Sequence, residues 1–414
     1  MVSEKRLAIN FERMSTITAP GQGITRIAFS DEDWQARNFI IELMKEAGLT
    51  IRTDHFGNVI GRLEGTDPNA KVVMLGSHID SVPNGGNFDG VVGVLGAIEV
   101  IHCMKEANFV NDHPIEVVVF MSEESSRFGV ATLGSKTMRG EMDVHTLKKL
   151  VDEKGHSLYN ILKLHGLDAD KIDEAVYPHE LKAFMELHIE QGKVLEVTDS
   201  QIGIVTGIAA PTRLKVIING QADHSGATPM TMRQDALCAA AEIILQVEEL
   251  AKTAKESSVV GTTGIIHAHP GVMNVVPGKV ELGIDIRSIY METKIKIVKA
   301  VMAQIKTITE NRNLTADITT LTNETPVKLK EEVISFLDDI CKEKNYAYMQ
   351  LPSGAGHDAM HWAHNFPTGM IFIPCKNGIS HNPAEHAKMK DIVAGTEVLY
   401  TAICKLASKE FSFK

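Results

Sequence analysis

Five short segments of this 414-residue chain carry side chains of the types that could bind and use divalent cations. The first, Gly76-Ser77-His78-Ile79-Asp80, ends an apolar run. In an extended stretch His78 and Asp80 point to the same side, so Asp80 could hold the second ring nitrogen of a metal-bound His78; a solvated aspartate in a strand-end turn is the alternative. In the second, Asn87-Phe88-Asp89-Gly90, Asp89 precedes a helical pattern and is either a cap or a carboxylate bridging two cations. Gly90, Gly93 and Gly96 do not spell GxGxxG, which argues against a dinucleotide site. The third, Ser122-Glu123-Glu124-Ser125, sets two carboxylates at the end of an apolar strand, where they are costly without positive charge. Adjacent side chains diverge, so one can bind metal while the other serves as general base; a solvated acidic turn is the alternative. His188, in Glu186-Leu187-His188-Ile189-Glu190-Gln191-Gly192, and His381, in Gly378-Ile379-Ser380-His381-Asn382-Pro383, complete the set. Any one of these histidines alone is more often structural. Together, three histidines and two carboxylates in separate segments suit Zn, Mn, Co or Ni rather than a thiolate site. A bridging Asp89 would hold two ions about 3.5–4 Å apart.

These residues need a scaffold that brings distant segments together. Ser30 and Asp33 open a helix whose apolar face runs through Phe39, Leu43 and Ala47 until Gly48 stops it. Residues 72–76 and 115–121 read as buried strands, with a helix over 91–106 between them. Such alternation predicts an α/β domain with a mostly parallel central sheet. Residues 370–373 and a helix near 389–407 return to that sheet. The middle reads differently: strand 212–219, helix 233–253, strands 259–267 and 279–287, helix 292–311 and strand 314–321. The order β-α-β-β-α-β predicts an inserted ferredoxin-like domain. Pro211 and Pro326 place its boundaries, giving 212–327 for the insert and 1–211 with 328–414 for the metal-binding domain.

The net charge of −11 argues against nucleic acid or an anionic membrane as partner, and an anionic substrate needs a local basic contact. Residues 1–26 lack a signal-peptide core, and no apolar stretch is long enough to span a membrane. The five cysteines, Cys103, Cys238, Cys341, Cys375 and Cys404, never form a CxxC pair, as expected of reduced thiols in a cytoplasmic protein.

The stretches GSHIDSVPNGGNFDG, ELHIEQG, GATPM, NVVPG and SGAGHDA together resemble the hydantoinase/carbamoylase branch of the aminoacylase-type dinuclear metallohydrolases, over nearly the whole chain. That branch holds N-carbamoyl-L-amino acid hydrolases, allantoate amidohydrolases and β-ureidopropionases. The resemblance implies two divalent metal ions per subunit. His78, Asp89 and His188 would bind one and Asp89, Glu124 and His381 the other, with Glu123 as general acid/base and Asp80 behind His78. His188 stands where many aminoacylase-type relatives carry an acidic residue, which favours a carbamoyl-cleaving enzyme. His224 would stabilise the tetrahedral intermediate, often from the partner subunit, and Asn274 and Arg287 would bind the substrate carboxylate. An ordinary strand-end salt bridge is the alternative for Arg287. Gln191, Ser353 and Gly356 match pocket positions, and His357 and Asp358 are either pocket residues or a helix-start pair. The implied partner is a small ureido acid, and the implied assembly is a homodimer paired edge to edge through the insert, which also serves as a lid. Residues 207–213 favour a carbamoyl-L-amino acid over allantoate as substrate. A non-catalytic binding protein on this fold is expected to lose Glu123 or a ligand; this chain keeps all of them.

Overall fold

The computed structural model describes residues 1–255 and 258–413. Its strands, in chain order, are β1 (Thr50–Thr53), β2 (Val59–Leu63), β3 (Val72–His78), β4 (Ile115–Phe120), β5 (Leu181–Ile189), β6 (Ile202–Ile208), β7 (Ala210–Asn219), β8 (Asp223–His224), β9 (Val260–His269), β10 (Val275–Val276), β11 (Lys279–Ser288), β12 (Thr315–Asn323), β13 (Val327–Lys328), β14 (Tyr348–Ser353) and β15 (Thr368–Ile373). The chain folds into two compact units. One comprises residues 1–206, 329–351 and 356–414, and the other residues 207–328 and 352–355.

In the first unit the strand order is β1-β2-β4-β3-β5-β15-β6, with β14 beside β6. The four central strands, β4, β3, β5 and β15, run parallel. Strands β3, β4 and β15 are buried at every residue, as a parallel sheet covered on both faces requires. The helix Val91–Glu106 is apolar almost throughout and buried along most of its length, because it packs between the sheet and outer helices. By contrast, the helix Asp31–Ala47 is amphipathic. Ser30 accepts the amide of Asp33 at its start, and Gly48, at φ 94°, ends it. Its buried Arg37 pairs with Asp33 at 3.0 Å. Arg37 also donates to the carbonyl of Phe120 at 2.9 Å, tying the helix to the carboxyl end of β4.

The second unit is built around one antiparallel sheet in the order β12-β7-β11-β9. Leu214, Val216 and Ile218 alternate along β7, and Val280, Leu282, Ile284 and Ile286 along β11. They pack with the helices Ala236–Lys252 and Met291–Asn311 into a separate core. Chain order and strand order are those of a ferredoxin-like fold. The sequence put the junctions near 211 and 327; the compact unit spans residues 207–328 and takes in residues 352–355. Pro211 does not break the chain: it lies inside β7, opposite Arg287 of β11. Strand β13 returns to pair with Ile208 and Gly207, which draws those residues into the insert. Among the described residues no helix is long and apolar enough to cross a membrane.

Candidate metal centre

Four parallel neighbours explain why residues more than a hundred positions apart converge. The carboxyl ends of β4, β3, β5 and β15 lie along one edge of the sheet, where open α/β folds place ligands. His78 is the last residue of β3, Glu123 and Glu124 follow β4, His188 is next to last in β5, and His381 lies in the loop after β15. Asp89 enters from the loop ahead of the helix Val91–Glu106.

Asp89 divides its two oxygens between two ligand groups. Its Oδ1 faces His188 Nε2 at 3.2 Å and His78 Nε2 at 3.9 Å. Its Oδ2 faces His381 Nε2 at 3.0 Å, and Glu124 Oε1 lies 3.1 Å from the same nitrogen. Within each group, His78/Asp89/His188 and Asp89/Glu124/His381, the ligand atoms lie within 4.8 Å of one another. The ring orientations suit binding. His78 Nδ1 lies 3.1 Å from the Asp80 carbonyl and His188 Nδ1 lies 2.9 Å from the Ile189 carbonyl. A carbonyl only accepts, so each Nδ1 carries a proton and each ring turns Nε2, the atom that would bind a metal, toward Asp89. His78, His188, Asp89, Glu123 and Glu124 are buried, whereas the side chain of His381 is half exposed at the mouth. Gly90 sits at φ 66°, and a β-carbon there would stand 2.4 Å from His78 Nε2, so only glycine lets the loop close over that ring.

Asp80 departs from the sequence expectation. Its backbone carbonyl, not its carboxylate, holds the His78 ring, and the carboxylate stands 3.7 Å from Nδ1. Instead the carboxylate accepts the amides of Glu123 at 3.2 Å and Glu124 at 3.0 Å, fixing the turn from which both glutamates project. Glu123 Oε2 lies 3.7 Å from His78 Nε2.

The electrostatics show a site short of positive charge. Burial, then the carboxylates of Glu124, Asp358, Asp80 and Asp89, push the Glu123 carboxyl well above its usual range. Burial and Asp33, opposed by Arg37, push Asp80 up to about 7. Hydrogen bonds to Asp89 and Glu124 hold His381 up to about 10. His188 reaches about 9 because Asp89 outweighs the burial that opposes it. The donors are oxygens and imidazole nitrogens, and divalent cations fit them while supplying the positive charge that the clustered carboxylates lack.

Other expected residues fall in two places. Gln191, at φ 57°, donates from Nε2 to Asp89 Oδ2 at 2.9 Å. Gly356 begins the turn to His357, whose buried ring lies 4.5 Å from that of His188. His224, Asn274, Arg287 and Ser353 belong to the second unit. His224 Nδ1 accepts the amides of Gly226 at 3.1 Å and Ala227 at 3.2 Å, so its proton sits on Nε2 as a donor. The Asn274 carbonyl accepts from the Ser225 amide at 3.0 Å. Arg287 forks onto Asp285 at 2.9 and 3.2 Å and donates to the Gly354 carbonyl at 3.0 Å. Arg213 shares Asp285 at 3.0 Å, so two guanidiniums on one carboxylate leave a net positive charge. Ser353 Oγ donates to the Ala355 carbonyl at 3.0 Å.

The sequence reading gave no role to several buried polar residues that organise the centre. Glu186 accepts Ser77 Oγ at 2.7 Å and the Ala359 amide at 3.1 Å. Ser135 donates to Asp358 at 2.5 Å. Glu385 holds the loop carrying Asp89. Charged residues next to recognised ligands were the only available signal.

A profile described as peptidase family M20/M25/M40 matches residues 74–405. A Pseudomonas sp. (strain NS671) protein named N-carbamoyl-L-amino-acid amidohydrolase is 44% identical, covering 98% of both chains. One of the same activity name from Geobacillus stearothermophilus is 43% identical over 94% of this chain and 95% of its own. An Escherichia coli (strain K12) protein named allantoate amidohydrolase is 36% identical over 94% of each. The crystal structure of a hydantoinase/carbamoylase-family amidase from Burkholderia multivorans superposes with a TM-score of 0.91 at 33% identity, covering 99% of this chain and 98% of that one. The chain belongs to peptidase family M20/M25/M40.

Proposed function

We propose that this protein hydrolyses the carbamoyl C–N bond of N-carbamoyl-L-amino acids, giving the free amino acid, carbon dioxide and ammonia. The observation that carries the reading is the sharing of Asp89 between two ligand groups beside Glu123, in a chain 44% identical to a protein named for that reaction. His78, Asp89 and His188 would hold one divalent ion and Asp89, Glu124 and His381 a second, with Zn, Mn, Co or Ni suited to these donors. When bound, the ions supply Lewis acidity and lower the pKa of water. Glu123 takes a proton from the attacking water as its oxygen bonds to the ureido carbon. Glu123 then passes that proton to the amino-acid nitrogen as the C–N bond breaks, and the carbamate fragment falls apart to carbon dioxide and ammonia. His224 donates from Nε2–H to the ureido oxygen as negative charge develops. Arg287, with Asn274, takes the substrate carboxylate, and the surplus positive charge of the Arg213–Asp285–Arg287 cluster supports that role. Gln191, Ser353 and Gly356 are assigned to the substrate pocket.

The second unit is assigned the roles of lid and dimer surface. Supporting the latter, β9 is a ten-residue edge strand on which Val260, Ile265 and Ile266 are each about half exposed; an unpaired apolar edge is a template for a second copy. Five free cysteines accord with a reducing, cytoplasmic setting. The relative named allantoate amidohydrolase keeps allantoate as the second reading of the same apparatus. Product release from a panel of N-carbamoyl-L-amino acids, their D forms, allantoate and N-carbamoyl-β-alanine decides between them. Highest kcat/KM on a carbamoyl-L-amino acid is expected, whereas preference for allantoate moves the enzyme to the second reading and inactivity on all of them removes both.

A further inference from the structure

Glu385 is a buried carboxylate to which the catalytic account gives no part. It lies four residues beyond His381 and is 5% exposed. Its Oε1 accepts the amide of Phe88 at 2.9 Å and the amide of Asp89 at 3.1 Å. Its Oε2 accepts from Ser380 Oγ at 2.9 Å, and Ser380 Oγ lies 3.1 Å from Asp89 Oδ2. One side chain therefore grips the backbone of Asp89 directly and its carboxylate through a single serine. The Asp89 loop is shaped to admit it: a β-carbon on Gly86 would stand 2.2 Å from Glu385 Cδ and Oε1.

A carboxylate shared by two cations must present one oxygen to each, so its direction is set as tightly as its position. Oδ1 of Asp89 already faces His78 and His188, and Oδ2 already faces His381. Free rotation of the Asp89 side chain or tilting of its peptide would spoil one group or the other. The Ser380 hydroxyl has one proton for two carboxylates, and Gln191 Nε2, 2.9 Å from Asp89 Oδ2, supplies the second donor. The arrangement thus fixes the carboxylate plane as well as the loop.

We propose that Glu385 is a positioning residue that aims Asp89 between the two metal positions. This rests on the metal centre proposed above. The test titrates metal-free protein with Co²⁺ and follows the visible absorption, which reports coordination geometry, while a melting curve of the metal-free protein reports the fold. Glu385→Gln keeps the size and one acceptor oxygen for the Phe88 and Asp89 amides but replaces the oxygen facing Ser380 Oγ with an NH2 donor, which changes how Ser380 meets Asp89. It is expected to bind Co²⁺ about 10–100-fold more weakly, with an altered visible spectrum and little change in metal-free melting. Gly86→Ala, which displaces Glu385 without changing its chemistry, is expected to alter the spectrum in the same direction, and Glu385→Asp to recover part of the affinity. A Glu385→Gln variant with the Co²⁺ affinity and spectrum of the parent overturns the proposal. So does lowered metal-free melting with an unchanged spectrum, the mark of a loop clasp alone. Should Glu385→Gln not fold, the Gly86→Ala and Glu385→Asp spectra decide by the same criteria. Failure of the parent protein to bind Co²⁺ sinks the metal reading and this inference with it, whereas the variant outcomes bear on Glu385 alone.

Discussion

At Arg287, a residue expected to bind substrate already has a partner. Its guanidinium forks onto Asp285, which Arg213 also engages. Arg287→Ala leaves Asp285 paired with Arg213, so the fold is expected to survive. KM for a carboxylate substrate should rise about 10–100-fold, the loss of one charge-assisted contact of about 1.5–3 kcal/mol. Steady-state kinetics checks this, and an unchanged KM leaves Arg287 as the strand salt bridge that was its other reading. The proposed ligand residues stand out at this scale because each combines a metal-binding type with a strand end or a turn glycine. The exchange of roles within Asp80, carbonyl to His78 and carboxylate to the Glu123 and Glu124 amides, was not legible. Both ends of one residue lie within reach of the same ring, and only coordinates tell which end is nearer.

The helix Asp31–Ala47 shows how an element can serve a site it never enters. Its cap and stop were plain in Ser30, Asp33 and Gly48, but i,i+4 spacing alone does not tell a buried Arg37–Asp33 pair from a surface one. Neither side chain is exposed, and Arg37 reaches the carbonyl of Phe120, two residues before the turn bearing Glu123 and Glu124. Arg37→Met strands the Asp33 carboxylate in the core. It is expected to lower stability by about 3–5 kcal/mol, read by urea denaturation of the metal-free protein. The double variant Arg37→Met with Asp33→Asn should regain part of that loss, since the stranded charge is gone. Equal losses in the single and double variants would show that packing, not charge, sets the cost. Strand boundaries held to within a few residues where the strands are continuous apolar runs, as in β3 and β4. Pro211, read from the sequence as punctuation, lies inside β7, opposite Arg287 of β11.

For the whole molecule, the proposed dimer makes His224 a residue that one subunit lends to another. Glu123→Gln and His224→Ala subunits are each expected to be inactive alone. Coexpressed, they should regain about a quarter of parental activity per chain if mixed dimers form at random and each holds one intact site. No recovery, in a sample shown by mass to contain mixed dimers, argues that His224 acts within its own chain. Such an assembly was not readable from periodicity, which describes one chain; it entered through resemblance, and the exposed edge of β9 gives it a physical basis. The central claim, that two ions sharing Asp89 drive cleavage of a carbamoyl-L-amino acid, has one direct measurement. Ammonia release from an N-carbamoyl-L-amino acid is followed while metal-free protein is titrated with Mn²⁺ or Co²⁺. The account predicts no release without metal, a rate that stops rising near two ions per chain, and little release from the D enantiomer. Full activity in the metal-free protein, or none at any metal ratio, would contradict it.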